Sequence, residues 1–134
     1  MEQLITVDPA IYLQGLKILV VEDSFVVAMD LASQLEHCGC TVVGPEGRLR
    51  PALNAAWHEA LDGAILDVNL GGVHCFPVAG ALTARKVRYI FASGYDSISV
   101  WPPEYAQAPR ITKPYRFPEL AELLVQHVAR HRYN

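Results

Sequence analysis

Five polar residues stand where apolar runs stop. Glu22 and Asp23 follow Lys17-Ile18-Leu19-Val20-Val21, Asp67 closes Ala64-Ile65-Leu66, Ser93 follows Arg88–Ala92, and Lys113 follows Arg110-Ile111-Thr112. If these runs are strands of one open parallel sheet, the polar residues share the edge beyond the strands' carboxyl ends, where such sheets bind ligands. Three carboxylates gathered there repel one another unless a cation neutralises them, and hard oxygen ligands select Mg²⁺ or an ion like it. Beside such an ion, Lys113 can neutralise one oxygen of a phosphoryl group and Ser93 can donate a hydrogen bond to another. A carboxylate that attacks phosphorus forms an acyl phosphate, and Asp67, central in the set, is the expected acceptor. Each residue alone has a plainer reading. Asp67 could cap its own loop, Glu22-Asp23 could complement a helix N-terminus, Ser93 could be turn chemistry, and Lys113 a solvated loop cation. The combination is what points to phosphoryl transfer.

The elements that must position these residues alternate along the chain, short β-branched runs with stretches of helical spacing, as in βαβ units. The sequence predicts strands at Lys17–Val21, Cys40–Val43 (stopped by Gly44-Pro45), Ala64–Asp67, Arg88–Ala92 and Arg110–Thr112. Ser24 is the expected N-cap of a first helix with Val27, Leu31, Leu35 and Cys38 on its apolar face and Gly39 at its end. A second helix presents Leu49, Leu53, Ala56, Ala60 and Leu61 before Asp62-Gly63, and Pro77–Ala84 forms a short third. Gly71-Gly72 reads as a flexible loop. Pro102, Pro103 and Pro109 restrict any fourth helix between Tyr95 and Pro109 to a few turns or none. A last helix has Pro118 and Glu119 in its first turn, Leu120, Leu123, Leu124 and Val128 toward the core, and Arg130 and Arg132 at its end.

Composition bounds the rest. With 134 residues, 51% hydrophobic and 19% charged, the chain fits one globular domain with a full core and is not expected to be disordered. A formal net charge of -3 provides no general basic field for direct nucleic-acid binding. No apolar run approaches the ~20 residues of a membrane span, and the first fifteen residues lack the form of a secretory signal, so a cytoplasmic location is expected. Cys38, Cys40 and Cys75 read as free thiols, and Cys38-Gly39-Cys40 as buried small residues rather than a metal site. His37, His58, His74, His127 and His131 have no ligand spacing and are expected at the surface. Trp57 is expected to pack at the core or its rim, and Trp101-Pro102-Pro103 is a candidate interface.

The residues around the polar positions resemble receiver domains of two-component response regulators over about Lys17 to Val128. The segments that carry the resemblance are Leu19-Val20-Val21-Glu22-Asp23, Ile65-Leu66-Asp67-Val68-Asn69-Leu70, Phe91-Ala92-Ser93-Gly94-Tyr95 and Thr112-Lys113-Pro114-Tyr115, in that order. The resemblance implies a flavodoxin-like, doubly wound five-stranded parallel sheet in order 2-1-3-4-5, with helices on both faces; the prolines of this chain make its fourth helix short or irregular. It assigns residues 1–15 to an N-terminal extension and 16–134 to the receiver. It also implies phosphorylation of Asp67 by a sensor histidine kinase or histidine phosphotransfer protein. Mg²⁺ would be held directly by Asp23 and Asp67, through water by Glu22, and by the Asn69 backbone carbonyl. Ser93 would move toward the phosphoryl group and Lys113 would hold it. Three departures stand out: the acid pair is Glu-Asp rather than the commoner Asp-Asp, Arg110 occupies the position three before the lysine, where the family often has an aromatic switch, and a proline-rich stretch between Ser93 and Lys113 replaces a regular fourth helix.

The expected output is binding or release of a downstream protein by a monomer or weak homodimer, or service as a phosphate relay or sink. The chain would assist its own phosphorylation and dephosphorylation without being an enzyme in the ordinary sense. Arg110 and the irregular Tyr95–Pro109 stretch motivate an alternative, a docking module with the same fold that ignores phosphorylation. A Mg²⁺-dependent phosphohydrolase using Asp67 as nucleophile is disfavoured, because enzymes of the haloacid dehalogenase type need an acid two positions on, where this chain has Asn69.

Overall fold

The computed structural model describes residues 8–94 and 101–130. Positions 1–7, 95–100 and 131–134 lie outside the described residues, and with them nearly half of the expected extension, part of Tyr95–Pro109, His131 and Arg132. In chain order the main elements are β1 (Lys17–Val21), α1 (Phe25–His37), β2 (Thr41–Glu46), α2 (Leu49–His58) and β3 (Gly63–Asp67). There follow β4 (Asn69–Leu70), β5 (Val73–His74), α3 (Phe76–Ala84), β6 (Arg88–Ser93), β7 (Arg110–Thr112) and α4 (Phe117–Leu124). A π-helical turn, Val125–Ala129, continues α4.

Five parallel strands make one sheet in the order β2-β1-β3-β6-β7. Numbered within that sheet alone, this is the expected 2-1-3-4-5. Alternation along the strands divides the core. Leu19, Val21, Ala64, Leu66 and Phe91 face α2 and α3, while Ile18, Val20, Ile65 and Ile90 face α1 and α4. Helices therefore cover both faces, which is why β1 and β3 are buried almost end to end. Each fully buried Leu, Ile or Phe contributes about 1.5–3 kcal/mol over an exposed one. Arg85 ties α3 to α2 by donating from one guanidinium nitrogen to the carbonyls of Ala56 at 2.6 Å and Glu59 at 2.8 Å.

Several local expectations are corrected. The buried face of α1 is Ala28, Leu31, Ala32 and Leu35, not one running through Val27 and Cys38. The alanines let the helix close on the sheet, and Val27 is left at the flank, 38% exposed. Helix α2 ends at His58, so Ala60 is exposed outside it and Leu61 packs from the following loop. Strand β2 runs through Gly44-Pro45 instead of stopping there; it is an edge strand, and its pairing with β1 shifts register at this point, where a missing N–H is tolerated. Gly71 and Gly72 form the tight turn of the β4–β5 hairpin, with φ of +63° and +95°, a geometry that glycine adopts without strain. Leu123 is only half-buried, and its expected place in the α4 core face goes to Ala121. Trp57 is 46% exposed.

Between β6 and β7 the described residues contain no α-helix, only a 3₁₀ turn at Pro103–Tyr105. Leu13, at the end of the 3₁₀ segment Pro9–Leu13, is fully buried with Leu16 against α1 and α4. The three cysteines are free, Cys40 and Cys75 buried and Cys38 half-buried. His37, His58 and His74 are exposed, and His127 is half-buried.

Candidate functional site

The register of the sheet sets the site. Val21 pairs with Leu66, Asp67 with Ala92, and Ser93 with Thr112, so Glu22, Asp67, Ser93 and Lys113 fall along one line at the carboxyl edge. Among the described residues, the buried polar and charged side chains are Glu22, Asp67 and Ser93. All three belong to this line, and burying such groups is costly unless they are paired.

Lys113 supplies the pairing. Its Nζ donates to Glu22 Oε1 at 2.6 Å and to Asp67 Oδ2 at 3.0 Å. Its backbone N–H donates to the Ser93 carbonyl at 2.8 Å, which locks the ends of β6 and β7 together. The other oxygen of Glu22 accepts from the Ser24 N–H at 3.0 Å, so the residue that caps α1 also orients the acid. The Ser24 hydroxyl accepts from the Val27 N–H, as expected of an N-cap. Asp23 is exposed, and its carboxylate is fixed by the Gly71 N–H at 3.0 Å, from the turn of the hairpin that follows β3. Asn69 sits in that hairpin. Its N–H donates to Asp67 Oδ1 at 3.3 Å and its side-chain oxygen accepts from the Gly72 N–H at 2.7 Å.

One carboxylate oxygen from each of Glu22, Asp23 and Asp67 lies within 4.8 Å of the others. A single ammonium against three carboxylates leaves two negative charges, the complement of a divalent cation, and an all-oxygen donor set fits Mg²⁺. The residues open into a depression of about 270 Å³ lined by Asp23, Asp67, Asn69, Gly71, Gly94 and Lys113. Ser93 is buried behind this lining, with Gly94 at the rim.

Electrostatics follow from burial. Removal from water, reinforced by the charge of Glu22, pushes the Asp67 carboxyl up to about 7, although the hydrogen bond and charge of Lys113 pull the other way. Burial alone would lower the Lys113 ammonium, yet the hydrogen bonds and charges of Glu22 and Asp67 outweigh it and the net shift is upward. Burial next to Glu22 also raises the Tyr115 phenol to about 12.

Some neighbours were not singled out from the sequence. Tyr115 stands two residues after Lys113, and buried Cys75, whose thiol is pushed up to about 12 by desolvation and by Asp67, is the N-cap position just before α3. Gly71 carries the N–H that holds Asp23. The Asp-x-x-x-Gly spacing from Asp67 to Gly71 was the available signal, but nothing in it predicts which acid the turn contacts.

The 3₁₀ turn and its flanks form an aromatic shelf beside this edge. Trp101 meets Phe91 edge-on at 5.1 Å and Phe76 at 5.9 Å, and Tyr105 stacks on Phe76 at 5.3 Å between ring centroids. The Arg110 guanidinium lies 3.7 Å from the Trp101 ring centroid and donates to the carbonyls of Ala106 at 2.6 Å and Tyr105 at 3.1 Å. The position expected to lack an aromatic is therefore covered by one through space.

Among solved structures, the chain is similar to SdrG from Sphingomonas melonis Fr1, with 38% identity and a TM-score of 0.73, over 83% of this chain and 94% of that one. The chain belongs to the response regulator receiver domains. The BeF3-activated conformation of SdrG, described from Pseudomonas melonis Fr1, matches this receiver at 37% identity and a TM-score of 0.68, over 83% and 95% of the two chains. A CheY-like receiver domain protein from Methanospirillum hungatei JF-1 shares the fold at 22% identity and a TM-score of 0.73, over 84% and 93%. No protein-family model and no curated protein matches the receiver. Its fold is that of response regulators, consistent with two-component signalling, and its acidic cluster stands where receivers typically bind Mg²⁺. Among the described residues no helix is long and apolar enough to cross a membrane.

Proposed function

We propose that this receiver is a phosphoacceptor switch in a two-component phosphorelay, with Asp67 accepting the phosphoryl group. The observation that carries the reading is the pairing of buried Asp67 and Glu22 with Lys113, with Asp23 close enough for the three acids to share one cation. An Asp67 oxygen attacks phosphorus. An O–P bond forms as the P–N bond of a donor phosphohistidine breaks, and the histidine nitrogen leaves with the electron pair. Lys113, already within hydrogen-bond distance of Asp67, neutralises a phosphoryl oxygen, and Ser93 turns its hydroxyl toward another. Asp23, Asp67, Glu22 and the Asn69 carbonyl would hold Mg²⁺. A bound divalent cation supplies charge neutralisation between the acids and the phosphoryl oxygens.

The donor is a histidine kinase or histidine phosphotransfer protein. Val26, 75% exposed near the start of α1, lines a groove of about 520 Å³ that reaches Lys113, Tyr115 and Phe117, and the preceding residue, Phe25, is 77% exposed. An apolar face of this kind beside the acceptor suits a docking protein. The output is a changed affinity for a downstream protein, or onward transfer of the phosphoryl group, in the cytoplasm.

Intact-mass analysis after incubation with acetyl phosphate tests the proposal. The expected result is one added phosphoryl group, dependent on Mg²⁺, lost in Asp67→Asn and prevented by a chelator. No added mass, together with no binding of beryllofluoride, overturns it in favour of a docking module that ignores phosphorylation.

A further inference from the structure

We infer that the Arg110–Trp101 stack is the element through which the phosphorylation state of Asp67 reaches the surface at residues 101–109. This rests on the phosphoacceptor reading above. Arg110 pairs with Phe91 across the β6–β7 ladder, and Trp101 lies against both, 3.7 Å from the guanidinium carbon and 5.1 Å from the Phe91 ring centroid. β6 ends in Ser93, which pairs with Thr112, and Lys113 follows β7 and donates its backbone N–H to the Ser93 carbonyl, two and three residues beyond Phe91 and Arg110. A shift of Ser93 or Lys113 toward a phosphoryl group is thereby transmitted to the two residues on which Trp101 rests.

Arg110 also fixes the surface segment itself. Its Nη2 donates to the carbonyls of Tyr105 and Ala106, and its Nε reaches that of Ala108 at 3.5 Å. One side chain thus binds the turn and stacks on the tryptophan, so the turn and the ring move together. A cation over an indole is attracted by the ring's quadrupole, and that attraction is lost when the two planes separate. A coupling device needs two arrangements; the structure shows the stacked one, and release of Trp101 from Arg110 is the second that coupling requires.

The sequence has two tryptophans, and Trp57 is exposed on α2 outside the site, so Trp57→Phe leaves Trp101 as the sole tryptophan, excited selectively over the tyrosines at the red edge of its absorption. Emission and acrylamide quenching of this variant are followed during incubation with acetyl phosphate and Mg²⁺, with intact mass read on the same samples. Emission is expected to change in proportion to the phosphorylated fraction. Adding Arg110→Gln should leave the added mass intact while removing most of the emission change, and Arg110→Lys, which keeps the charge but not the planar fork, should retain only part of it. Phosphoryl mass gained without any Trp101 response, in the protein that keeps Arg110, overturns the inference and leaves the phosphoacceptor reading standing. A response that survives Arg110→Gln at full amplitude also overturns it. Absence of added mass together with no beryllofluoride binding sinks both readings.

Discussion

The pocket around Asp67 is held by charge, whereas the shelf around Trp101 is held by rings and backbone carbonyls. In the pocket, one ammonium serves two buried carboxylates at 2.6 and 3.0 Å, and removing the ammonium strands both in a poorly solvated place. On the shelf, Phe76, Phe91, Trp101 and Tyr105 meet at 5.1–5.9 Å, and the one charged group, Arg110, keeps partly in solvent while it stacks. The difference separates two tasks. A stiff, expensive constellation suits chemistry that needs fixed positions, and a softer set of contacts, each worth about a kilocalorie, suits a surface that must take two arrangements.

The comparison breaks most visibly at its shared residue and its nucleophile. Asp67→Asn is expected to abolish phosphoryl incorporation while leaving the fold intact, and any residual added mass would move the acceptor elsewhere. Phe91 is fully buried and touches the shelf while its strand ends at the pocket; Phe91→Ala should cost about 3–5 kcal/mol in denaturant unfolding and loosen both regions. Lys113→Ala leaves Glu22 and Asp67 unpaired, and at pH 8 without divalent metal it should cost about 3 kcal/mol. If that loss stays below the effect of Arg110→Gln, the contrast between a charge-held pocket and a ring-held shelf is wrong.

A pH series sharpens the pocket side. The Asp67 carboxyl is raised in the folded chain, from an ordinary 3.8 to about 7, so the folded state binds the extra proton between those values. Its contribution therefore makes stability fall as pH rises from about 4 to about 7, with the full cost present above that window. Urea midpoints measured in a chelator at pH 5.5 and 8 should show this fall, and Asp67→Asn should flatten it. On the shelf side, Arg110→Gln should cost only about 1–2 kcal/mol, the worth of a half-buried cation–π contact together with its hydrogen bonds to the turn. An unfolding midpoint displaced by several kilocalories would make Arg110 a structural keystone instead.

The legible part of this receiver was the part in which chemistry and position along a strand coincide. Buried parallel strands are continuous apolar runs, so the polar residue that ends each run announces the carboxyl edge, and Glu22, Asp67, Ser93 and Lys113 could be placed there from residue types alone. Alanine-lined faces were harder, because Ala28 and Ala32 carry little hydrophobic signal yet are what lets α1 close on the sheet. Edge strand β2 was cut short on the sequence reading because Gly44-Pro45 is a break in a central strand but not at an edge with a register shift.

The sequence by itself determined the fold class, the order of the elements and the identity of the acidic pocket, since periodicity and strand-end chemistry are local properties of the chain. Only the tertiary structure decided that Gly71 holds Asp23, that Lys113 divides itself between Glu22 and Asp67, and that Trp101 covers Arg110. Those contacts join residues distant along the chain or turned by a loop, and a spacing rule describes neighbours on one element, not what a register of strands brings face to face.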